Sequence, residues 1–528
     1  MKLNKSKSAA FNRRQMFIAG AIAGSANLLS PRQARAAASL PVRASGPEVY
    51  SRFGVKPFIN CTSTYTINGG SAMLPEVIEA MNSASFYPVN LDELMEGAGK
   101  RIAELLQVEA AMVSSGAAGA MTCATLACVA GGDPEKMQQL PDTTGIKNEV
   151  IVPRWSRSIY DHAVRSTGVK MIEVETLKDL EEAFSPRTAM ATGQLNLAGE
   201  RNPFTLEQYV AAAHKRGVPV VIDVADRLPL VPNPYLSRGA DLVAYSGGKI
   251  IRGPQTAGML LGRKDLVAAA FMNSAPHHAF ARAMKVSKEE VAGMVKAIEL
   301  LRTGKRNRDA EDAEWRAWFR HITDTVSKVS GVSGEIIEPK DKQYYPTMKV
   351  VWDPKKIGIT AGEIGKMLLE GEPRIMTHAG LTEASQATEM LLRPAAMWPG
   401  EYKLVADRLY EILSKAPGPR PKPQYAAPAG DVAGLWEADL QFSVGAARHA
   451  FYLDPKGNNI SGQYAGRIVK GPLKGHIDGN KVEFSGGGRI EGASLHYTYK
   501  GTFDGNQMSG TVELGEYGTA RFSATRKG

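Results

Sequence analysis

A lysine and an aspartate, each placed directly after an apolar run, are the residues of this sequence best suited to covalent chemistry. Asp223 ends the run Val220-Val221-Ile222-Asp223, and Lys249 follows 26 positions later in the small-residue turn Ser246-Gly247-Gly248-Lys249. A carboxylate at the end of a buried strand needs a cationic partner. A desolvated lysine can form an imine with a carbonyl compound. The pair predicts a site for pyridoxal 5′-phosphate (PLP), whose protonated ring nitrogen suits Asp223. The alternative is a solvated loop lysine and an aspartate that caps a helix.

A second segment has the form of a phosphate site. Val113-Ser114-Ser115-Gly116-Ala117-Ala118-Gly119-Ala120 runs from a short strand through a glycine turn into a helix. The exposed N–H groups at such a helix start bind anions, so Ser115, Gly116 and Ala117 are candidate phosphate ligands. The Ser246 hydroxyl is a further donor. Alone the turn is also typical of an ordinary helix start, and it does not have the spaced glycines of a dinucleotide site.

These residues match a known family. The segment Tyr245–Gln255 resembles the Ser-Gly-x-Lys…Gly-Pro-Gln signature of bacterial selenocysteine synthase (L-seryl-tRNA selenium transferase) and its relatives of the D-glucosaminate-6-phosphate ammonia-lyase type. Phe58–Thr62 and Gly239–Val243 also resemble the group, and the likeness covers roughly Tyr50 to Leu413. It implies the PLP-dependent transferase fold type I, a PLP imine on Lys249, Asp223 at the ring nitrogen, and phosphate contacts from Ser115–Ala117 and Ser246. It also implies a homo-oligomer with active sites at subunit interfaces.

The sequence departs from the synthase itself in two ways. Gly248 stands where that enzyme tends to have Asp, and a C-terminal domain is foreign to it. An exported protein would also meet no aminoacyl-tRNA, so tRNA-dependent selenium transfer is not expected.

Other candidate site residues carry cationic or aromatic side chains. Arg157, Tyr160 and His162 follow a strand end, where an aromatic or imidazole face suits stacking on a ring and arginine suits a phosphate. Arg374 and Arg393 are candidates for binding a substrate carboxylate. Ordinary helix-surface positions and structural ion pairs are the alternatives. No metal site is expected, since the pair His277-His278 has no third ligand in its pattern.

The elements that must position these residues divide the chain into an α/β body and an all-β domain. Strand and helix patterns alternate over residues 46–415, which predicts a mostly parallel sheet covered by helices. The large lobe spans about 60–288, and a small α+β lobe spans about 289–413 together with the N-terminal segment. Residues 416–430 form a Pro-rich linker. Residues 431–528 predict a barrel or sandwich of roughly eight short strands, and Gly434-Leu435-Trp436 resembles a lipocalin-like entry.

The first residues have the pattern of an export signal. Seven of the basic residues behind the net charge of +10 lie in residues 1–36, which contain no acidic residue. Arg13-Arg14 precede a short apolar run and a small-residue cleavage site after Ala36 or Ala38. We therefore expect export by the twin-arginine machinery to the periplasm, without a membrane span in the mature protein. With the signal's charge removed, the remaining balance does not favour nucleic-acid binding.

Together these patterns predict an exported PLP enzyme that acts at Cα of an amino acid or amino sugar acid. A lyase that releases ammonia is the first expectation. Transamination, racemisation and aldol cleavage use the same residues and stay open, as does a non-catalytic binding or scaffold protein that kept the fold.

Overall fold

The computed structural model describes residues 48–195, 202–378, 387–421 and 423–527; the predicted export signal lies outside these ranges. In chain order the strands are β1 Ile59–Asn60, β2 Ala110–Ser114, β3 Glu149–Pro153, β4 Lys170–Val174, β5 Thr188–Gly193, β6 Val220–Asp223, β7 Leu242–Ser246, β8 Gly258–Gly262, β9 Val332–Ile337, β10 Thr347–Trp352, β11 Ile375–Met376, β12 Glu389–Leu392, β13 Gly434–Gln441, β14 Ala446–Lys456, β15 Asn459–Ala465, β16 Lys470–Asp478, β17 Lys481–Ile490, β18 Ala493–Asp504, β19 Gln507–Glu513 and β20 Thr519–Lys527.

The helices fall mainly between the strands of the body. In chain order they are α1 Glu48–Ser51, α2 Pro75–Ser85, α3 Leu91–Leu106, α4 Gly116–Ala130, α5 Pro134–Gln139, α6 His162–Arg165, α7 Leu177–Glu182, α8 Leu206–His214, α9 Lys264–Met272, α10 Lys288–Arg302, α11 Arg308–Val326, α12 Ala361–Glu370 and α13 Glu401–Ser414. Within the described ranges, none of them combines the length and apolarity needed to cross a membrane.

A central sheet in the order β2-β8-β7-β6-β5-β3-β4 forms the middle of the large lobe. All neighbouring pairs are parallel except those made by β8, which is antiparallel to both β2 and β7. Val220, Val221 and Ile222 are fully buried, because helices cover both faces of a parallel sheet. The carboxyl ends of β2, β5, β6 and β7 therefore meet at one edge, where the fold places ligands.

The small lobe is built on an antiparallel sheet in the order β12-β10-β9. Helices α11, α12 and α13 contribute buried apolar residues beside it, including Phe319, Ile364 and Leu409. The N-terminal segment joins this lobe because Ile59 pairs in parallel with Ile375. This pairing returns residues near the start of the body to its small lobe.

The C-terminal domain is a closed barrel of the consecutive strands β13 to β20, with β13 paired to β20. The prediction left open a barrel or a sandwich, and strand closure decides for the barrel. Its interior is filled by aromatic side chains, each with at most 2 % of its surface exposed: Trp436, Phe451, Tyr464, Phe484 and Tyr499. The interior is thus a packed core, and Trp436 of the predicted entry motif is buried within it.

The Pro-rich linker is attached at both of its ends. The carbonyl of Pro417 accepts a hydrogen bond from the Gly358 N–H at 2.7 Å, which holds the linker to the small lobe. Ala426 N–H donates to Asp478 Oδ1 at 2.8 Å, and Ala429 N–H donates to the Gly479 carbonyl at 2.9 Å. These bonds restrict the position of the barrel relative to the body.

Candidate active site

A cavity of about 280 Å³ lies at the carboxyl edge of the central sheet, next to the ends of β5, β6 and β7. Both members of the predicted pair line it, which brings Asp223 and Lys249 to one site. The described residues that line it are Tyr160, Gln194, Leu195, Asp223, Val224, Ala225, Asp226, Arg227, Tyr235 and Lys249.

The Asp223 carboxylate is held by two hydrogen bonds. Gln194 Nε2 donates to Oδ2 at 2.9 Å, and the Ala225 N–H donates to Oδ1 at 3.0 Å. Burial raises the pKa of the Asp223 carboxyl above its ordinary value, against these two hydrogen bonds and the positive charge of Lys249. The structure thus orients a carboxylate at the floor of a cavity without fully compensating its charge.

This carboxylate provides a test of whether the site fits PLP. A protonated pyridine nitrogen is the cation that would stabilise Asp223, and the Lys249 amine lines the same cavity for covalent attachment. Because Gln194 bonds to one carboxylate oxygen and the Ala225 N–H to the other, the protein itself fixes the orientation of the Asp223 carboxylate. The donor set fits the cofactor.

Two glycines explain the course of the turn that carries Lys249. A Cβ at Gly247 would lie 2.8 Å from Met294 Sδ and 2.9 Å from the Ala257 carbonyl oxygen. A Cβ at Gly248 would lie 2.6 Å from the Cα of Gln255. Real side chains do not approach backbone this closely, so the turn folds back on the Gly-Pro-Gln segment only because both positions lack a side chain. This packing accounts for glycine at both positions.

Of the three candidates after β3, Tyr160 lies at the cavity. Lys249 Nζ is 5.4 Å from the centroid of its ring, and half of the Tyr160 surface is exposed. Its ring is therefore available to stack on a planar ligand. His162 is exposed and is not among the residues that line the cavity.

The prediction that Arg157 binds the cofactor is wrong. Its side chain is 2 % exposed and is enclosed by the carboxylates of Asp161, Glu173 and Glu491. Glu491 belongs to the turn between β17 and β18 of the barrel, 334 positions away in sequence. The guanidinium is a structural ion-pair centre, because its charge is compensated by three acids of the same chain.

The predicted phosphate ligands occupy the same sheet edge, beyond the cavity lining. Gly258 of β8 pairs with Ser114 on one side and with Ser246 on the other. The start of α4 at Gly116 and the end of β7 at Ser246 therefore lie two strand spacings apart, roughly 10 Å. Ser115, the N-cap of α4, makes no side-chain cap hydrogen bond, and Gly116 has φ of +68°. The backbone N–H groups of the first turn of α4, including that of Ala117, are therefore at the positive end of the helix dipole, which favours an anion.

The two candidate carboxylate-binding arginines differ in the use of their donors. Arg374 donates to the carbonyls of Leu369 at 2.9 Å and Lys56 at 2.6 Å, which hold its side chain to the backbone; its role toward substrate stays a prediction. Arg393 lies with Nη1 2.6 Å from His378 Nε2. Its buried Nε has no hydrogen-bond partner among the described residues, and Arg393 is not among the described residues that line the cavity.

Sequence reasoning missed several residues of the cavity. Gln194 follows β5, a strand rich in Thr, Ala and Gly whose composition gave no apolar signal. Arg227 donates to Asp341 at 2.9 Å, and its guanidinium lies 5.1 Å from the centroid of the Tyr344 ring. The position of Gln194 and Arg227 in sequence could have revealed them, since each comes directly after a strand or a strand-end turn. No three His, Cys, Asp or Glu side chains of the described chain gather where a metal ion could be held.

Comparisons with known proteins agree with this geometry. The family model of L-seryl-tRNA selenium transferase matches residues 66–313. The chain is 28% identical to the D-glucosaminate-6-phosphate ammonia lyase of Salmonella typhimurium (strain 14028s / SGSC 2262), over 70% of this chain and 99% of that protein. It is 30% identical to the 5'-C-glycyluridine monooxygenase-decarboxylase of a Streptomyces species, over 69% of this chain and 92% of that protein. The L-seryl-tRNA(Sec) selenium transferase of Proteus mirabilis (strain HI4320) is 27% identical, and the match covers 56% of it.

A solved structure of D-glucosaminate-6-phosphate ammonia-lyase is similar as a whole fold, with a TM-score of 0.61 and 27% identity over 70% of this chain and 99% of that one. Because 380 aligned residues account for 99% of the ammonia lyase, that relative is about as long as the two-lobed body alone. The predicted fold type I body, the PLP cofactor and the separate all-β domain are confirmed. The chain belongs to the PLP-dependent selenocysteine synthase-like family.

Proposed function

We propose that this protein is an exported PLP-dependent lyase that acts at Cα of an amino acid or amino sugar acid and releases ammonia. The observation that carries the proposal is the convergence of Lys249, Asp223 and Tyr160 on one cavity. When bound, PLP supplies an electron sink for negative charge at the substrate Cα. The ammonia-lyase relative supports elimination as the reaction.

The cavity residues would divide the work of holding PLP and moving a proton. Lys249 Nζ would hold the cofactor covalently and, once released by the substrate amine, would accept the proton from the substrate Cα. Asp223, oriented by Gln194, would hold the ring nitrogen in its protonated form. Tyr160, whose ring lies 5.4 Å from Lys249 Nζ, would offer its face to the ring. For a 2-amino-3-hydroxy acid, water leaves from Cα–H and Cβ–OH, and one water is taken up as ammonia and a 2-oxo acid are released, so no oxidant is needed.

Arg393 binds the substrate carboxylate in this proposal. Its buried, unpartnered Nε and its place beside His378 give it the donors for a bidentate pair. Replacing Arg393 by Lys keeps the charge but removes the planar fork, and we expect KM to rise about tenfold, as loss of one charge-assisted hydrogen bond would give. Arg374→Lys is the control, since Arg374 is committed to backbone carbonyls.

The first experiment asks whether Lys249 carries the cofactor. Purified protein is reduced with borohydride, digested, and searched by mass spectrometry for the cofactor on the Lys249 peptide; Lys264→Ala, an exposed lysine after β8, is the matched control for Lys249→Ala. The reduced protein is expected to carry the label on Lys249 alone. A protein that takes up no PLP, or is labelled elsewhere, would overturn the assignment.

The second experiment asks for the reaction. The loaded enzyme is assayed with D- and L-3-hydroxy amino acids and amino sugar acids for ammonia and 2-oxo acid. Release of both in equal amounts is the expected result. Transfer of the amino group without ammonia would replace elimination by transamination, and no turnover across the panel would favour a binding protein.

A homo-oligomer is also part of the proposal. Several large apolar side chains of the N-terminal part of the body are mostly exposed in the single chain, namely Phe53, Ile67, Phe86 and Tyr87. Exposed apolar groups of this density are typical of a subunit interface. Light scattering coupled to size exclusion should give at least twice the chain mass; a monomer at micromolar concentration would contradict the proposal.

Export rests on the first 36 residues. Arg13 and Arg14 precede an apolar run too short to span a bilayer, which suits recognition by the twin-arginine machinery and delivery to the periplasm. Fractionation should find the mature protein, starting after Ala36 or Ala38, in the periplasm. Replacing both arginines by lysine should leave the precursor in the cytoplasm; unchanged export would contradict this route.

A further inference from the structure

The turn between β17 and β18 touches the loop that lines the active-site cavity. Glu491, at the tip of this turn, forms ion pairs with Arg157 and, at 3.7 Å, with Arg165 of the large lobe. Glu491 has φ of +50°, a left-handed conformation that non-glycine residues seldom adopt. A left-handed first residue is what a two-residue hairpin loop requires, so the feature that sets this turn apart is its ion pair with the buried Arg157.

The next residue brings the two domains into backbone contact. A Cβ on Gly492 would collide with the backbone of Ser158, including its carbonyl oxygen. Glycine is therefore required at the tip for the barrel to lie this close to the loop. In contrast, a Cβ on Gly515 or Gly518, in the neighbouring turn between β19 and β20, would meet nothing within 4 Å.

The loop that receives this turn is the one that carries Tyr160. Ser158 Oγ accepts a hydrogen bond from the Tyr160 N–H at 3.2 Å, and Asp161 pairs with the same Arg157 that Glu491 binds. The Tyr160 ring in turn lies 5.4 Å from Lys249 Nζ. A continuous set of contacts thus connects the barrel to the cavity.

We infer that Glu491 and Gly492 of the barrel are positioning residues of the active site, which hold the Ser158–Tyr160 loop so that the Tyr160 ring faces the bound cofactor. The barrel contributes no group to the chemistry. It contacts the Ser158–Tyr160 loop on the side away from the cavity, and the linker's hydrogen bonds to both domains keep the barrel in place. The inference requires PLP binding but not a particular reaction.

The test uses the full-length holoenzyme and three single variants. Glu491→Gln removes the carboxylate charge that pairs with Arg157, and Gly492→Ala forces the turn away from Ser158. Glu516→Gln, an exposed acid in the β19–β20 turn, is the matched control. The readouts are the Kd of PLP from titration of apoprotein, the visible circular dichroism of the bound cofactor, and hydrogen exchange of the 157–162 peptide.

We expect both test variants to raise the Kd of PLP by about 2- to 150-fold, the range that couplings between residues in contact span. They should also weaken the cofactor's circular dichroism and speed exchange in the 157–162 peptide, while Glu516→Gln changes none of these. A purely structural contact would lower the melting temperature with the Kd and circular dichroism unchanged, and that result would overturn the inference. Should Gly492→Ala fail to fold, Glu491→Gln alone decides, since it changes no backbone contact.

Discussion

Replacing Asp223 by Asn should affect the apoprotein and the holoenzyme in opposite directions. Burial raises the pKa of the Asp223 carboxyl, which means that the charged form is destabilised when no cation is bound. Asn is nearly isosteric and neutral. Its Oδ1 can accept from the Ala225 N–H, and the Gln194 amide can flip so that its oxygen accepts from the new Nδ2. We therefore expect the free energy of unfolding of the apoprotein to stay equal or rise.

The holoenzyme should lose affinity for its cofactor. A hydrogen bond to a charged group contributes about 1.5–3 kcal/mol, and its loss corresponds to a Kd for PLP about 10- to 150-fold higher. At a PLP concentration of about 100 times the parent Kd, the cofactor stabilises the parent by about 2.7 kcal/mol. By the same relation the Asp223→Asn variant should gain only about 0.3–1.4 kcal/mol.

The assay is chemical unfolding of parent and variant, each with and without PLP at that fixed concentration, together with a spectroscopic titration of the apoprotein. Glu516→Gln, which removes an exposed acid of the barrel turn, serves as a control for removal of an acid. The reasoning is refuted by an apoprotein variant that is clearly less stable than its parent, or by an unchanged Kd. Either result would mean that Asp223 is a structural acid and does not face the ring nitrogen.

Two further predictions concern stability. On α3, a Cβ at Gly97 meets nothing within 4 Å, whereas a Cβ at Gly99 would collide with the Ala111 carbonyl. Gly97→Ala should therefore raise the free energy of unfolding by about 0.5–1 kcal/mol, and Gly99→Ala should lower it by about 1–3 kcal/mol. Urea unfolding that ranks the two variants in the opposite order would contradict this packing. Burial raises the pKa of Glu401 to about 7, so the folded state binds a proton more tightly than the unfolded state between pH 4.5 and 7, and stability falls as the pH rises through that window. Glu401→Gln, which keeps an acceptor for the Trp398 N–H, should therefore be more stable than the parent above pH 7, by at most about 3 kcal/mol, and equal to it near pH 4; a difference independent of pH would refute the assignment.

The central chemistry could be predicted because its signals are local. Asp223 ends an unbroken apolar run and Lys249 stands in a turn of small residues, so each is recognised from fewer than ten positions. The parallel arrangement of strands then brings the two together without further information. The all-β domain was predicted for the same reason, since turn residues such as Gly457 and Gly479, both in the left-handed conformation, occur at near-regular spacing.

What could not be predicted depends on distant partners. Arg157 has the appearance of a phosphate ligand in sequence, and only the folded chain shows that Glu491 compensates its charge. Gln194 was missed because β5, Thr-Ala-Met-Ala-Thr-Gly, lacks the run of large apolar residues that marks β6. Arg374 and Arg393 are equally suited by type to bind a carboxylate, and only the folded chain shows that Arg374 donates to the carbonyl of Lys56. Periodicity describes which residues are buried, but it does not assign partners to charged groups.

Glu491 and Arg157 pair although they are 334 positions apart in sequence, which has a consequence for the order in which the site can form during synthesis. The barrel strands follow the body in the chain and are therefore synthesised after it, so under the inference above the Tyr160 loop would receive its support only after the barrel has been made. A truncated or half-folded molecule would have Lys249 and Asp223 in place but a loosely closed cofactor wall. In this proposal, tight cofactor binding therefore depends on the folded barrel, and molecules in which the barrel has folded would be preferentially loaded.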